Sequence, residues 1–396
     1  VRSGRCSSFS RSRHLTLRSL AYESVLMSDR APHILMAGGG TGGHVYPAIA
    51  IADAIRALCP EARVVFAGTN NRLEARAVPE AGYALHPITA EGVHRGSITA
   101  NLTVPVRMMR GLLQSWHLVG ALEPDVAVGT GGYVAAPVLL AAWLRGRPLL
   151  IQEQNAYAGL TNRVLARLAS RIHLAFEEAQ DWVPDERAVV SGNPTRRTLR
   201  EADPAEARAA YDLPDEAQMV LVMGGSLGSA ALNEALHHHL PHLLQAPSVQ
   251  VLWQTGPRYY DAVMDAVQPH PRLRIVEYID RMEQAYAAAT LVVCRAGALT
   301  CSELMVTGTP AVLVPSPNVT ADHQAKNAKS MERAGAARLL PEAALEARLS
   351  ALVTRLLEAP AALDEMAAAA RARAHPHAAE TIARDVLALA DHDPSG

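Results

Sequence analysis

From His33 onward the chain repeats one pattern many times: a short apolar run, a glycine-bearing turn, then an amphipathic stretch. His33–Ala37 (HILMA) reads as a buried strand, and GGGTGGH leads from it into a helix through about Leu58. Arg63–Ala67, Ala84–Ile88, Asp125–Val128 and Pro148–Gln152 read as further buried strands. Each is separated from the next by enough chain for a crossover helix. Such alternation predicts a parallel sheet with helices on both faces. The pattern restarts at Met219–Met223 (MVLVM), which runs into GGSLGSAALNEAL. Gln250–Gln254, Arg274–Glu277, Leu291–Cys294 and Ala311–Val314 continue this second series. Between the two lies Val189–Pro194 (VVSGNP), a strand ending in turn-forming residues, where the hinge is expected. The expected fold is therefore α/β, with two doubly wound domains facing a central cleft. Ligands bind such folds at the carboxyl ends of the strands.

Composition narrows the class without choosing the ligand. The chain has 396 residues, 49% hydrophobic and 19% charged, which fits two globular domains. A formal net charge of −2 lacks the basic excess of a dedicated nucleic-acid binder. The 4 cysteines show no CxxC and no regular spacing, so neither a disulfide framework nor a zinc site is supported. The run Val134–Leu144 falls short of the roughly 18 apolar residues of a membrane-spanning helix. Residues 1–30 are rich in Arg and Ser and lack an apolar core. They are expected to form a disordered leader outside the fold, with Met27 as the natural start.

The glycine turns carry the candidate chemistry. Gly38, Gly40 and Gly43 satisfy GxGxxG after a strand, but the second strand ends in Phe66-Ala67-Gly68-Thr69-Asn70 without the acid of a dinucleotide site. What remains is an anion site of backbone N–H groups at a helix start. His44 stands at that start, where the positive helix end disfavours imidazolium, so it is either a proton acceptor or a local hydrogen-bonding residue. Gly224-Gly225-Ser226-Leu227-Gly228 could hold an anion from the other side of the cleft. After Leu291–Cys294, a helix beginning near Ala298 could bind phosphate without a metal. Glu303, one turn in, could take two vicinal ribose hydroxyls or simply complement the helix dipole. His237-His238-His239 point to different helix faces and form no metal site.

Taken together, Gly39-Gly40-Thr41-Gly42-Gly43-His44, Gly129–Tyr133, Gln152-Glu153-Gln154-Asn155, Gly192-Asn193-Pro194, Gly224-Gly225-Ser226, Arg295–Thr300 and Asp322-His323-Gln324 resemble the MurG family. That resemblance runs in order from about His33 to the C-terminus. It implies a GT-B fold and transfer of GlcNAc from UDP-GlcNAc to the C4 hydroxyl of the muramoyl sugar of lipid I, with inversion. The product would be lipid II for peptidoglycan. It implies no metal or other cofactor. Donor contacts would fall to Thr41, Gly42, Gly43, Asn155, Arg196, Ser226, Ile279, Ala298, Leu299, Thr300, Cys301, Ser302, Glu303, Gln324 and Asn327. Gly131, Gly132, Tyr133 and Glu153 would lie on the acceptor side, and His44 would be the general base, with Glu153 its rival. Leu227 stands where the family often has Gln.

The resemblance also divides the chain: leader 1–30, acceptor and membrane-docking domain 31–194, donor domain 195–374, and a helix in 375–396 returning to the first domain. Because the acceptor is lipid-linked, the enzyme is expected on the cytoplasmic face of the bacterial inner membrane, with an anionic surface and cell-wall assembly proteins as partners. Leu102, Val106, Arg107, Met109, Arg110, Leu113 and Trp116 form the expected docking patch, apolar residues interleaved with arginine. The alternatives are a UDP-GlcNAc 2-epimerase on the same fold and a non-catalytic nucleotide-sugar-binding scaffold.

Overall fold

The structure, a computed structural model, describes residues 31–90, 104–183, 186–318 and 322–390. Its first sheet has seven parallel strands in the order β3-β2-β1-β4-β5-β6-β7. These are β1 (His33–Gly38), β2 (Arg63–Gly68), β3 (Ala84–Pro87), β4 (Val126–Gly131), β5 (Leu149–Glu153), β6 (Arg171–Leu174) and β7 (Ala188–Val190). The second sheet has six, in the order β10-β9-β8-β11-β12-β13. They are β8 (Gln218–Met223), β9 (Val249–Gln254), β10 (Leu273–Val276), β11 (Leu291–Cys294), β12 (Ala311–Leu313) and β13 (Arg338–Leu339). Strands β6 and β13 were not apparent from the sequence. The first, RIHL, alternates charged with apolar residues, and the second is only two residues long.

Apolar strand faces explain both layers. Leu35, Ala37, Ala127, Leu149 and Ile151 bury against helices on one face of the first sheet. Ile34, Met36, Val126, Val128 and Leu150 bury on the other. Strands apolar on both faces can sit only in a sheet covered on both sides. The second sheet repeats this, with Met219 and Leu221 on one face and Val220 and Val222 on the other. In each sheet the strand order reverses beside the first strand, between β1 and β4 and between β8 and β11. A ligand crevice opens at such reversals. The loops leaving these four strands are the glycine-bearing motifs.

The C-terminal Ala378–Ala390 helix leaves the second domain and packs on the first, where Ile382, Ala383 and Val386 are buried with Val45, Ile51 and Val128. Arg171 Nε donates to Asp385 Oδ2 at 2.7 Å, and Arg200 Nη2 to Glu380 Oε1 at 3.1 Å.

Candidate active site

Strand β1 ends at Gly38, and the Gly42–Leu58 helix begins three residues beyond Gly39. The turn is held from below by an acid that sequence spacing concealed. Glu74, fully buried, accepts from Gly40 N at 3.0 Å, Thr69 N at 3.2 Å and Thr69 Oγ1 at 2.6 Å. It lies on the Glu74–Glu80 helix beyond β2 rather than at the strand end, where a dinucleotide-site acid is sought. The Gly40 N–H is therefore spent on a carboxylate. Thr41 and Gly43 remain exposed at the helix start.

His44 lies in the first turn of that helix. Its Nδ1 is 2.8 Å from the Thr130 carbonyl oxygen and 3.0 Å from Gln154 Oε1, while Thr130 Oγ1 donates to the His44 carbonyl at 2.8 Å. Both groups facing Nδ1 are acceptors, so Nδ1 carries a proton and Nε2 holds the ring's lone pair when neutral. Two glycines of the β4 turn make this possible. A Cβ on Gly131, where φ is +99°, would lie 2.9 Å from the His44 ring, and one on Gly132 would lie 2.2 Å from the Gly39 carbonyl oxygen. Tyr133 follows, more than half exposed.

Glu153 closes the next loop. Its Oε1 accepts from Asn155 N at 3.0 Å and Asn155 Nδ2 at 3.1 Å, and its Oε2 from Gly159 N at 2.9 Å and Asn162 Nδ2 at 2.8 Å. A buried carboxylate accepting four N–H bonds folds the 153–162 segment. As the rival base it would have to surrender those bonds.

In the second domain, the turn after β8 leaves Ser226 and Leu227 exposed, and Ser229 caps the Ala230–Leu243 helix. Arg295, after β11, donates to Ser229 Oγ from Nε at 3.1 Å and Nη2 at 2.6 Å, and it pairs with Glu342. It thereby locks two glycine turns together. The Ala298–Thr307 helix starts with Gly297 as its cap and no side-chain cap bond, which leaves its N-terminal amides for a ligand. Ala298, Leu299 and Thr300 at that start are partly exposed. Glu303 is half-buried, and Tyr286 Oη donates to its Oε2 at 3.0 Å. Burial pushes the Glu303 carboxyl above its ordinary value, against the opposing pull of the Arg196 guanidinium and the Tyr286 bond. Burial raises the Tyr278 phenol as well, and the side chains around it include Tyr46 of the first domain together with Arg196 and Glu303. Both domains therefore line one cleft.

Across it, the His323–Arg333 helix faces the first domain. His323 is lowered by burial first, with Glu153 and His44 among the groups it feels, and its buried Nδ1 has no hydrogen-bond partner. Lys326 Nζ sits 3.0 Å from the Tyr157 ring centre. Gln324 Oε1 accepts from Ser316 N at 2.8 Å.

Three expected donor contacts are corrected by burial. Asn327 is fully buried, with Oδ1 accepting from Ala156 N at 3.0 Å and Nδ2 donating to the Ala296 carbonyl at 3.2 Å, so its amide staples the domains rather than meeting a sugar. Cys301 is in the core, where burial pushes its thiol up to about 12, and its N–H bonds the Gly297 carbonyl at 2.9 Å. Ser302 Oγ, also buried, accepts from Asn193 Nδ2 at 2.9 Å. Ile279 is buried, which leaves only its backbone for a ligand.

Residues 34–174 match the glycosyltransferase family 28 N-terminal domain, and residues 219–382 match the family 28 C-terminal domain. The UDP-N-acetylglucosamine--N-acetylmuramyl-(pentapeptide) pyrophosphoryl-undecaprenol N-acetylglucosamine transferase of Salinibacter ruber is 72% identical over 365 residues, covering 92% of this chain and 99% of its own. The chain belongs to the MurG family. The enzyme of the same description from Chlorobium limicola is 43% identical, over 90% of this chain and 99% of its own. The crystal structure of Acinetobacter baumannii MurG superposes with a TM-score of 0.73 at 32% identity, covering 90% of this chain and 99% of that one. A UDP-GlcNAc 2-epimerase from Neisseria meningitidis superposes at 0.64 but with 12% identity, a likeness of GT-B fold alone.

The expected membrane patch lies on the Val104–Leu122 helix, except Leu102, which is outside the described residues. Val119 on one face is buried, and Leu112, Leu118 and Leu122 pack against the same core. Val106 (71% exposed), Met109 (57%) and Leu113 (54%) face outward instead, with Arg107 and Arg110 also exposed. Arg145 stacks 4.1 Å over the Trp116 ring. The sequence reading missed Trp143 and Leu144 just before that arginine, both exposed. Their apolar run resembles any buried helix until its end is seen to emerge.

Proposed function

We infer that this chain transfers GlcNAc from UDP-GlcNAc to the C4 hydroxyl of the muramoyl sugar of lipid I, giving lipid II with inversion at the anomeric carbon. The observation that carries the reading is the juxtaposition, across one cleft, of a His44 ring with Nδ1 fixed as donor and an open helix N-terminus carrying Glu303. In a single displacement, Nε2 of His44 takes the C4–OH proton as that oxygen attacks C1 of GlcNAc, and the C1–O bond to UDP breaks. Charge develops on the diphosphate as it leaves. The amides of Ala298, Leu299 and Thr300 suit that charge, with the helix dipole adding to them. Glu303 accepts from the ribose hydroxyls, and Arg196 adds a cation near the nucleotide. Thr41, Gly42, Gly43, Ser226, Asn155 and Gln324 complete the donor contacts. Gly131, Gly132 and Tyr133 border the acceptor.

The lipid tail of the acceptor stays in the bilayer, so the enzyme works as a peripheral protein on the cytoplasmic face. Among the described residues no helix is long and apolar enough to cross a membrane. The exposed apolar side chains of the Val104–Leu122 helix, with their arginines, supply the docking surface.

UDP release measured with and without a lipid I analogue tests the activity. Release that depends on acceptor is expected. Formation of the manno isomer from UDP-GlcNAc alone would instead establish the epimerase. For the base, His44→Ala should lower kcat by about 10²–10⁴-fold with donor affinity kept and the acidic limb of the pH–rate profile abolished. An unchanged limb in that variant would assign the proton to another residue.

A further inference from the structure

Around Tyr157, where the two domains meet, the fold gathers cations that it does not neutralise. Lys326 Nζ lies 3.0 Å from the Tyr157 ring centre, and the Arg163 guanidinium carbon 5.3 Å from it. Trp182 packs on the same ring at 4.2 Å, with Arg163 5.5 Å from the Trp182 ring. Among the described residues neither cation forms an ion pair. Arg163 Nε and, beside Tyr157, His323 Nδ1 are buried without a hydrogen-bond partner. Glu153, the acid that acts on His323, already accepts four N–H bonds. Lys326 also stands four residues into its helix, near the positive end that disfavours a cation. An aromatic face attracts cations but takes up none of their N–H donors.

We propose, on the transferase reading above, that Arg163 and Lys326 bind the carboxylate-bearing peptide of the acceptor, with His323 Nδ1 open beside them. The donor is the poorer source of the anion. Gln324, assigned to the donor, and Lys326 are two residues apart and point to different sides of their helix, whereas His323 and Lys326 share the side facing the first domain. Within the acceptor, the peptide hangs from C3 of the muramoyl sugar, next to the attacking C4 hydroxyl, and the pyrophosphate hangs from C1 across the ring. The first sheet separates these two directions. His44 stands over β1 and β4. On one side, the apolar Val104–Leu122 helix is bonded to the chain just after β3, where Gln114 Oε1 accepts from Thr89 N at 2.7 Å. On the other, Tyr157 and Trp182 lie on the segments that leave β5 and β6. With the lipid-linked pyrophosphate directed to the docking helix, the C3 peptide runs to the Tyr157 cluster. Exposed Val164 and Trp182 flank Arg163, and such mixed apolar and cationic surface suits a peptide better than a diphosphate.

The rival role is a cation–π tether between the domains. Calorimetric titration of the full chain with two water-soluble lipid I analogues separates the possibilities. One carries the pentapeptide with free carboxyl groups, and the other carries it with those groups amidated. The amidated analogue should bind about tenfold or more weakly. In Arg163→Gln/Lys326→Gln the two should bind alike, and Lys326→Arg should keep the preference. Equal affinities in the parent protein, or binding of neither analogue, would overturn the proposal. So would a double variant that weakens both analogues equally, which assigns the cations to the pyrophosphate, or one that loses UDP affinity, which assigns them to the donor. If the double variant fails to fold, Lys326→Gln alone decides by whether the preference shrinks. Turnover is read separately: a carboxylate preference without GlcNAc transfer would refute the transferase reading and leave the peptide site standing.

Discussion

Glu303 shows how much one side chain owes to its surroundings. Its position one turn into a helix suggested either a ribose anchor or a dipole-complementing acid. The structure adds a buried phenol bonded to it and a burial that resists its charge. Two ribose hydroxyls donating to the carboxylate would favour the ionised form, so binding should release a proton where the free carboxyl is still protonated. UDP affinity should therefore fall on acidification at a pH above the ordinary carboxylate range. In Glu303→Gln that dependence should flatten, and Glu303→Ala should weaken UDP and UDP-GlcNAc alike by about 1.5–3 kcal/mol, the worth of a charged hydrogen bond. Calorimetric titration across pH measures both, and normal UDP affinity in Glu303→Ala would leave the residue a structural role only. Asn327 makes the opposite case. The family resemblance made it a donor contact, yet its amide is wholly spent on backbone groups of Ala156 and Ala296.

Among the elements, the Val104–Leu122 helix carries the clearest division of labour. Its apolar residues exceed what one packed face can bury, and the surplus emerges beside arginine. Hydrophobic insertion together with charge attraction predicts binding to anionic vesicles that weakens with salt. Replacing Arg107 and Arg110 by Glu should reduce sedimentation with such vesicles while leaving turnover of a water-soluble acceptor analogue unaltered. Undiminished vesicle binding would move the docking surface elsewhere. Trp143→Ser is expected to weaken the same binding with less salt dependence, because it removes apolar area and no charge.

At the level of the whole molecule, the Ala378–Ala390 helix straps the second domain to the first, and its anchor is titratable. His173 is fully buried in β6, with Nδ1 3.0 Å from Ser191 Oγ and Nε2 3.2 Å from Asp385 Oδ2. Burial pushes it down to about 4 from an ordinary 6.5, although Asp385 pulls the other way. The unfolded chain thus binds the proton first as pH falls. Stability from this site is complete above about pH 6.5 and is lost between there and pH 4, by at most about 3 kcal/mol. Thermal melts of His173→Gln should show a shallower decline across that window than the parent protein. An identical slope would place the pH sensitivity elsewhere.

Two domains, their parallel sheets and the glycine-bearing turns that line the cleft were all legible in the chain. Buried strands must be apolar on both faces, and glycine alone tolerates the turn beneath His44. The helix starts at Gly42 and Ala298 were legible for the same local reason, since capping and dipole effects act within a turn. Burial and partners across the fold were not. Glu74 reaches Gly40 from 34 residues away, Asn327 meets Ala156 from 171, and Asn193 meets Ser302 from 109. No period or spacing encodes such pairs, because a buried polar group takes whichever partner the packed chain brings within about 3 Å. Composition and pattern therefore determined the fold and the family of sites, whereas only the tertiary structure decided which polar residues stay open to the cleft and which hold the two domains together.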